Sequence, residues 1–241
     1  MFNKLRILCG VVPTMIYLFT YKILPNKLQH YFTYNLIWYL KKICNINVHV
    51  HGNTTIMNQR NYIYMANHYE GIDFLALYSL LNSPGKTKTY TIAKYDLLGD
   101  HGKLNIISYM ADIVGRRLYD ICNFIPYIRG DKKSGTEVKN TAIKKLLCNE
   151  NILVFPEGRA RKNGAIKTFK PGMFKIAEKL NIPIVPITLV YRNYCGKDKH
   201  EDSDMCEWTN TDVDIYIHDA VLPQSHEKMM DETFNKIQSK Q

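Results

Sequence analysis

The chain alternates short apolar runs with longer amphipathic ones. Positions 62–66 are an apolar run of strand length, and positions 74–81 suit a helix. Between them lies the polar turn Asn67-His68-Tyr69-Glu70-Gly71-Ile72-Asp73. Further strands are predicted at 47–51, closed by Gly52, and at 89–93, 123–128, 151–155, 182–190 and 213–217. A helix is predicted at 134–149, where Val138, Ile143, Leu146 and Leu147 oppose Lys139, Lys144 and Lys145. Two more are predicted at 171–180, opened by Pro171, and at 227–237. Residues 97–115 are mixed and apolar, with Gly99 and Gly102 marking turns. Pro183 and Pro186 make 182–190 an edge or irregular strand, since proline cannot donate to a ladder. Strands alternating with helices predict an α/β fold, a central mixed, mostly parallel sheet flanked by helices.

The first 45 residues are patterned differently. Lys4 and Arg6 precede an apolar run at 7–21, shorter than the ~20 residues of a spanning helix and interrupted by Pro13. No convincing small-residue cleavage site follows, so an embedded or interfacial anchor fits better than a signal peptide. From 26 to 44, Leu28, Phe32, Leu36, Tyr39, Leu40 and Ile43 recur at helical spacing, and Trp38, Tyr39, Lys41 and Lys42 gather at the end. Aromatic residues with lysines suit a membrane interface. The plainer reading is an amphipathic helix docked on the domain. The expected organisation is an N-terminal membrane-associating helical segment, 1–45, and a core domain, 46–241.

The length of 241 residues and 46% hydrophobic content suit one full core. A net charge of +10 brings nucleic acid, anionic lipid and phosphorylated substrates into consideration. No nucleic-acid recognition motif is present, and no nucleic acid is expected as partner. Six scattered cysteines without a CxxC pair suit reduced thiols in an intracellular compartment. Cys195, His200 and Cys206 match no metal spacing, and 195–207 reads as a solvated acidic loop. Asn53-Thr54-Thr55 is a glycosylation sequon only if it meets a secretory lumen.

Chemistry gathers in the polar turn. Positions five apart on one helix point about 140° away from each other, so His68 and Asp73 meet only if the chain turns after His68, with Gly71 giving the backbone freedom. A carboxylate on one ring nitrogen fixes the tautomer and leaves the other to take a proton. Alone, the pair reads as well as a satisfied polar histidine and a helix-start acid. Downstream, Arg129 ends an apolar strand where α/β folds bind ligands, and its planar fork suits phosphate. Gly130 and Gly135 lack the Lys-Ser/Thr of a nucleotide loop. Then Phe155-Pro156-Glu157-Gly158-Arg159-Ala160-Arg161 follows a strand, and Lys170 precedes a helix start, which attracts anions. Val185-Pro186-Ile187 is apolar and reads as core.

In this order the four stretches resemble the glycerolipid acyltransferase family, and its 1-acylglycerol-3-phosphate (lysophosphatidate) acyltransferases most closely. The NHxxxxD motif is matched by Asn67, His68 and Asp73, and the arginine of the second block by Arg129. The third block is matched by Phe155, Pro156, Glu157, Gly158, Phe169, Lys170 and Gly172, and the fourth by Val185, Pro186 and Ile187. One departure stands out: the arginine expected after Glu-Gly-Thr is Ala160, flanked by Arg159 and Arg161. The resemblance implies transfer of a fatty acyl group from acyl-CoA, as co-substrate, to a lysophospholipid hydroxyl. His68 is then general base and Asp73 its orienter, while Arg129, Glu157, Gly158, Arg159, Arg161 and Lys170 hold the substrate. No metal or other cofactor is demanded, and a serine acyl-enzyme has no GxSxG to support it. An intracellular membrane, of endoplasmic-reticulum type or another, with the site facing the cytoplasm, is the expected location. Glycerol 3-phosphate or another lysophospholipid is the alternative acceptor, and a non-catalytic lipid-surface binding protein the alternative of another class.

Overall fold

The computed structural model describes residues 23–59, 61–69, 72–94, 119–160, 165–192 and 211–241. The apolar run at 7–21, the 97–115 stretch, Gly71, Arg161 and the 195–207 loop lie outside them. Seven strands are described: β1 (Ile46–Gly52), β2 (Ile63–Ala66), β3 (Thr89–Lys94), β4 (Phe124–Tyr127), β5 (Asn151–Val154), β6 (Ile184–Tyr191) and β7 (Thr211–Ile217). The helices are α1 (Asn26–Ile43), α2 (Ile72–Leu81), α3 (Lys132–Leu147), α4 (Gly172–Leu180) and α5 (His226–Gln238). The strands form one sheet in the order β1-β7-β6-β2-β5-β3-β4. Strands β6, β2, β5, β3 and β4 run parallel, and β7 runs antiparallel to β6, with β1 parallel to β7. This is the mixed, mostly parallel sheet that the alternating pattern predicts.

The prolines of β6 do not put it at an edge. It lies inside the sheet between β2 and β7. Pro183 precedes the strand and uses only its carbonyl, which accepts from Ile63 N–H. Pro186 sits where the partner chain bulges: Ile187 pairs with Ile217, yet Ile184 bridges to Val221. Three steps on one side face four on the other, so the missing N–H falls at a gap in the ladder.

The alternation of β2 divides the core. Ile63 and Met65 pack with Val138, Ala142, Phe174, Ala177 and Met229, from α3, α4 and α5. Tyr64 and Ala66 pack with Met57, Ala76, Leu77, Val185 and Ile215 on the other face. Helix α3 begins two residues before the predicted start because Asp131 caps it, its side chain accepting from Lys133 N–H at 2.8 Å. Helix α1 forms at the predicted place, but its apolar positions divide. Leu36 and Ile37 are buried, Ile37 beside Tyr78 of α2, whereas Leu28, Tyr31, Phe32, Trp38 and Tyr39 stay exposed.

Candidate active site

The carboxyl ends of the parallel strands carry the polar residues singled out above, the edge at which α/β sheets place ligands. β2 leads to Asn67 and His68, β4 to Arg129, β5 to Glu157, and β6 ends on Tyr191.

His68 lies outside α2, and Asp73 occupies its first turn. The turn between them brings His68 Nδ1 to 2.7 Å from Asp73 Oδ2. The same oxygen accepts Tyr69 N–H at 2.7 Å, and Asp73 Oδ1 accepts the Tyr191 hydroxyl. Burial pushes the Asp73 carboxyl up from its ordinary value, against the downward pull of His68, Tyr191 and the Tyr69 amide. The His68 ring stacks on Phe155, centroids 4.4 Å apart. Its Nε2 points away from the carboxylate, and among the described residues no side chain bonds to it.

Asn67 is wholly buried and acts as a piece of backbone. Its amide donates to Leu189 C=O at 2.9 Å, and its oxygen accepts Leu189 N–H at 2.7 Å. The β2–β6 pairing is thereby extended one step beyond the last strand residue, which fixes where His68 departs. Glu157 is also buried. One of its oxygens accepts His68 N–H at 2.9 Å and the other Lys167 N–H at 3.0 Å. It ties the turn after β2 to the loop after β5.

That loop is drawn together by cations. Arg129 Nη2 donates to Gly158 C=O at 3.0 Å, and Lys167 Nζ to Ala160 C=O at 2.6 Å. Gly158 has φ +71°, and a Cβ there would lie 2.6 Å from Lys170 Nζ. The left-handed conformation favours glycine, and the flexible Lys170 side chain would have to move aside for a Cβ. Arg159 and Lys170 are exposed at the rim. Arg129, Glu157, Gly158 and Lys170 thus converge, while Arg161 lies outside the described residues.

Two contributors, Tyr191 and Lys167, escaped the sequence reading, and so did the contact that Phe155 makes. Tyr191 terminates an apolar strand, where nothing local links it to position 73. Lys167 sits among other lysines, and Phe155, although matched in the third block, gives no local sign of its stack on His68. Only the order of the strands in the sheet brings them to the histidine.

Comparison with known proteins identifies the family and the fold. The model of the acyltransferase family matches residues 47–190. The human protein named 1-acyl-sn-glycerol-3-phosphate acyltransferase alpha is 30% identical over 176 residues, covering 71% of this chain and 56% of its own length. A chloroplastic 1-acyl-sn-glycerol-3-phosphate acyltransferase of Brassica napus is 26% identical over 175 residues, 73% of this chain and 45% of its own. The chain therefore spans about half the length of these relatives. The crystal structure of the 1-acyl-sn-glycerophosphate acyltransferase PlsC of Thermotoga maritima superposes with a TM-score of 0.62 at 21% identity, covering 98% of this chain and 94% of that one. At that identity it supports the fold.

Proposed function

Since the chain belongs to the acyltransferase family, we propose that it moves a fatty acyl group from an acyl-CoA thioester to the free hydroxyl of lysophosphatidate, giving phosphatidate. One observation carries the reading: His68 is tied to Asp73 through Nδ1 at 2.7 Å, and among the described residues no side chain bonds to Nε2. Nε2 takes the acceptor's hydroxyl proton as the oxygen attacks the thioester carbonyl. The tetrahedral adduct collapses, the carbon–sulfur bond breaks, and the imidazolium returns its proton to the thiolate. A positioned base is worth about 10²–10⁴-fold, and juxtaposing the two substrates supplies much of the rest. Acyl-CoA serves as co-substrate, with no separate cofactor.

The acceptor's phosphate end is assigned to Arg129, Arg159 and Lys170, with Arg161 and the backbone at Gly158 in the same loop. Glu157 is assigned to bracing. Both its oxygens hold backbone amides, and a carboxylate against a phosphate is repulsive.

The substrates live in bilayers, since burying each methylene is worth about 0.8 kcal/mol. Residues 1–45 are proposed as the membrane-associating unit and 46–241 as the acyltransferase unit, on an intracellular membrane with the site facing the cytoplasm. The exposed aromatic residues of α1, ending in Lys41 and Lys42, support contact with an anionic surface. Among the described residues no helix is long and apolar enough to cross a membrane.

The test is thiol release from a long-chain acyl-CoA by detergent-purified protein. Acceptors are lysophosphatidate, glycerol 3-phosphate, lysophosphatidylcholine or none, each with wild type and His68→Ala. Release that needs lysophosphatidate and vanishes in the variant is expected. Release with a different acceptor moves the substrate, and release without any makes the protein a thioesterase. A folded, vesicle-binding protein with no release at all is a lipid-surface binding protein.

A further inference from the structure

The general-base reading uses one oxygen of Asp73. The other is held from a different part of the fold. Asp73 Oδ2 carries both His68 Nδ1 and the Tyr69 amide, each at 2.7 Å. A carboxylate gripped through one oxygen keeps a soft rotation about its Cβ–Cγ bond. Any such rotation moves the oxygen that holds the imidazole. Asp73 Oδ1 is the natural place for a stop, and the Tyr191 hydroxyl donates to it there.

Tyr191 is well anchored for that task. It is the last residue of β6 and pairs with Val213 of β7. The next residue continues the ladder, Arg192 N–H donating to Asp212 C=O at 3.0 Å. The Tyr191 ring meets Tyr69 edge to face, centroids 5.0 Å apart. The sheet thus fixes the backbone, a neighbouring ring fixes the side chain, and the hydroxyl arrives at a carboxylate with no exposed surface. A donor to a buried carboxylate also withdraws charge from it.

We infer that Tyr191 is a positioning residue for the proposed base: through Asp73 it sets both the orientation and the basicity of His68. The inference rests on the general-base reading. Among the described residues, the ionisable groups that act on the Asp73 charge include His68 and Tyr191, joined by the backbone amide of Tyr69. Glu157, from the loop after β5, faces His68 through its amide. Among the described residues no charged group of α1, packed beside α2, acts on Asp73.

Tyr191→Phe keeps the ring against Tyr69 and removes only the hydroxyl. Asp73 then loses a stabiliser of its charge and pulls harder on the Nδ1 proton, which favours the imidazolium. The acid limb of kcat/KM against pH is expected to move up by roughly half a pH unit. kcat at the optimum falls about tenfold, with KM for both substrates unchanged within about twofold. A merely structural tyrosine would lower the amount of folded enzyme and leave the limb in place. As a readout independent of turnover, the downfield His68 Nδ1 proton in the NMR spectrum is expected to shift in the variant. An unmoved limb together with an unmoved Nδ1 proton, in a background where His68→Ala is inactive, overturns the role of Tyr191. Full activity in His68→Ala overturns the general-base reading itself, whatever Tyr191→Phe does.

Discussion

Among the described residues, two histidine–aspartate pairs have the same separation and opposite settings. His68 Nδ1 lies 2.7 Å from Asp73, and His51 Nε2 lies 2.7 Å from Asp214. Both carboxylates are buried, but Asp73 takes its bonds from His68, Tyr191 and the Tyr69 amide, and burial pushes it up. In the second pair, Arg192 grips Asp214 through Nε and Nη2, the latter at 2.6 Å, and holds it below its ordinary value. The arginine has already answered the charge that a histidine base needs behind it. The positions differ as well. His68 stands at the carboxyl ends of five parallel strands, whereas His51 lies on the outermost strand, its ring stacked on Tyr216 at 4.7 Å. Distance alone therefore does not distinguish the pair proposed as a base from a staple. What distinguishes them is who else holds the carboxylate and where the histidine stands in the sheet.

The sharpest break of this comparison is by alanine. His68→Ala is expected to lower kcat by about 10²–10⁴-fold, while His51→Ala leaves kcat within about twofold, both read by thiol release. Equal losses would erase the distinction. The next effect concerns what makes the first pair possible. Asn67→Ala removes both bonds to Leu189 and leaves that buried peptide unpaired, a cost of about 2–4 kcal/mol, read as a lower urea midpoint. No such scaffold stands behind His51, which lies within a regular strand. Smaller again is Gly158→Ala. With φ at +71°, it is expected to cost about 1–2 kcal/mol. Its effect on turnover should exceed that on stability if the loop holds the acceptor, and the two assays together decide.

Much of this was legible in the sequence, for identifiable reasons. The strand–turn–helix around His68 was readable because apolar period and polar turn agree there, and the helical geometry itself required a turn between positions 68 and 73. The β6 prolines announced an edge or irregular strand and only the irregularity holds, because the bulge that accommodates Pro186 inside the sheet is made by residues beyond Ile217 and leaves no mark near position 186. Glu157 read as a ligand for substrate, since a carboxylate after a buried strand advertises chemistry. In the fold it holds two amides from separate loops, a relation no linear pattern encodes. Tyr191 was invisible for the same reason: 118 residues separate it from its partner. Local chemistry is written locally, and the second layer of contacts is written in strand order.

The smallest effect tests the sign of the contrast. Arg192 lowers the folded pKa of Asp214, so this carboxylate's contribution to stability is complete above its unfolded value, about 3.9, and is lost as pH falls through the folded one. Asp73 runs the other way. Burial raises its folded pKa, so its contribution is complete below the unfolded value and is lost as pH rises through the folded one. Urea midpoints from about pH 3 to about pH 7 should therefore diverge in opposite directions. Taken relative to wild type and to its own value at the acid end, Asp214→Asn loses stability as pH rises, and Asp73→Asn gains it. If both variants moved in the same direction, the two carboxylates would share one electrostatic setting, and the case for treating only one of the pairs as a base would lose its physical footing.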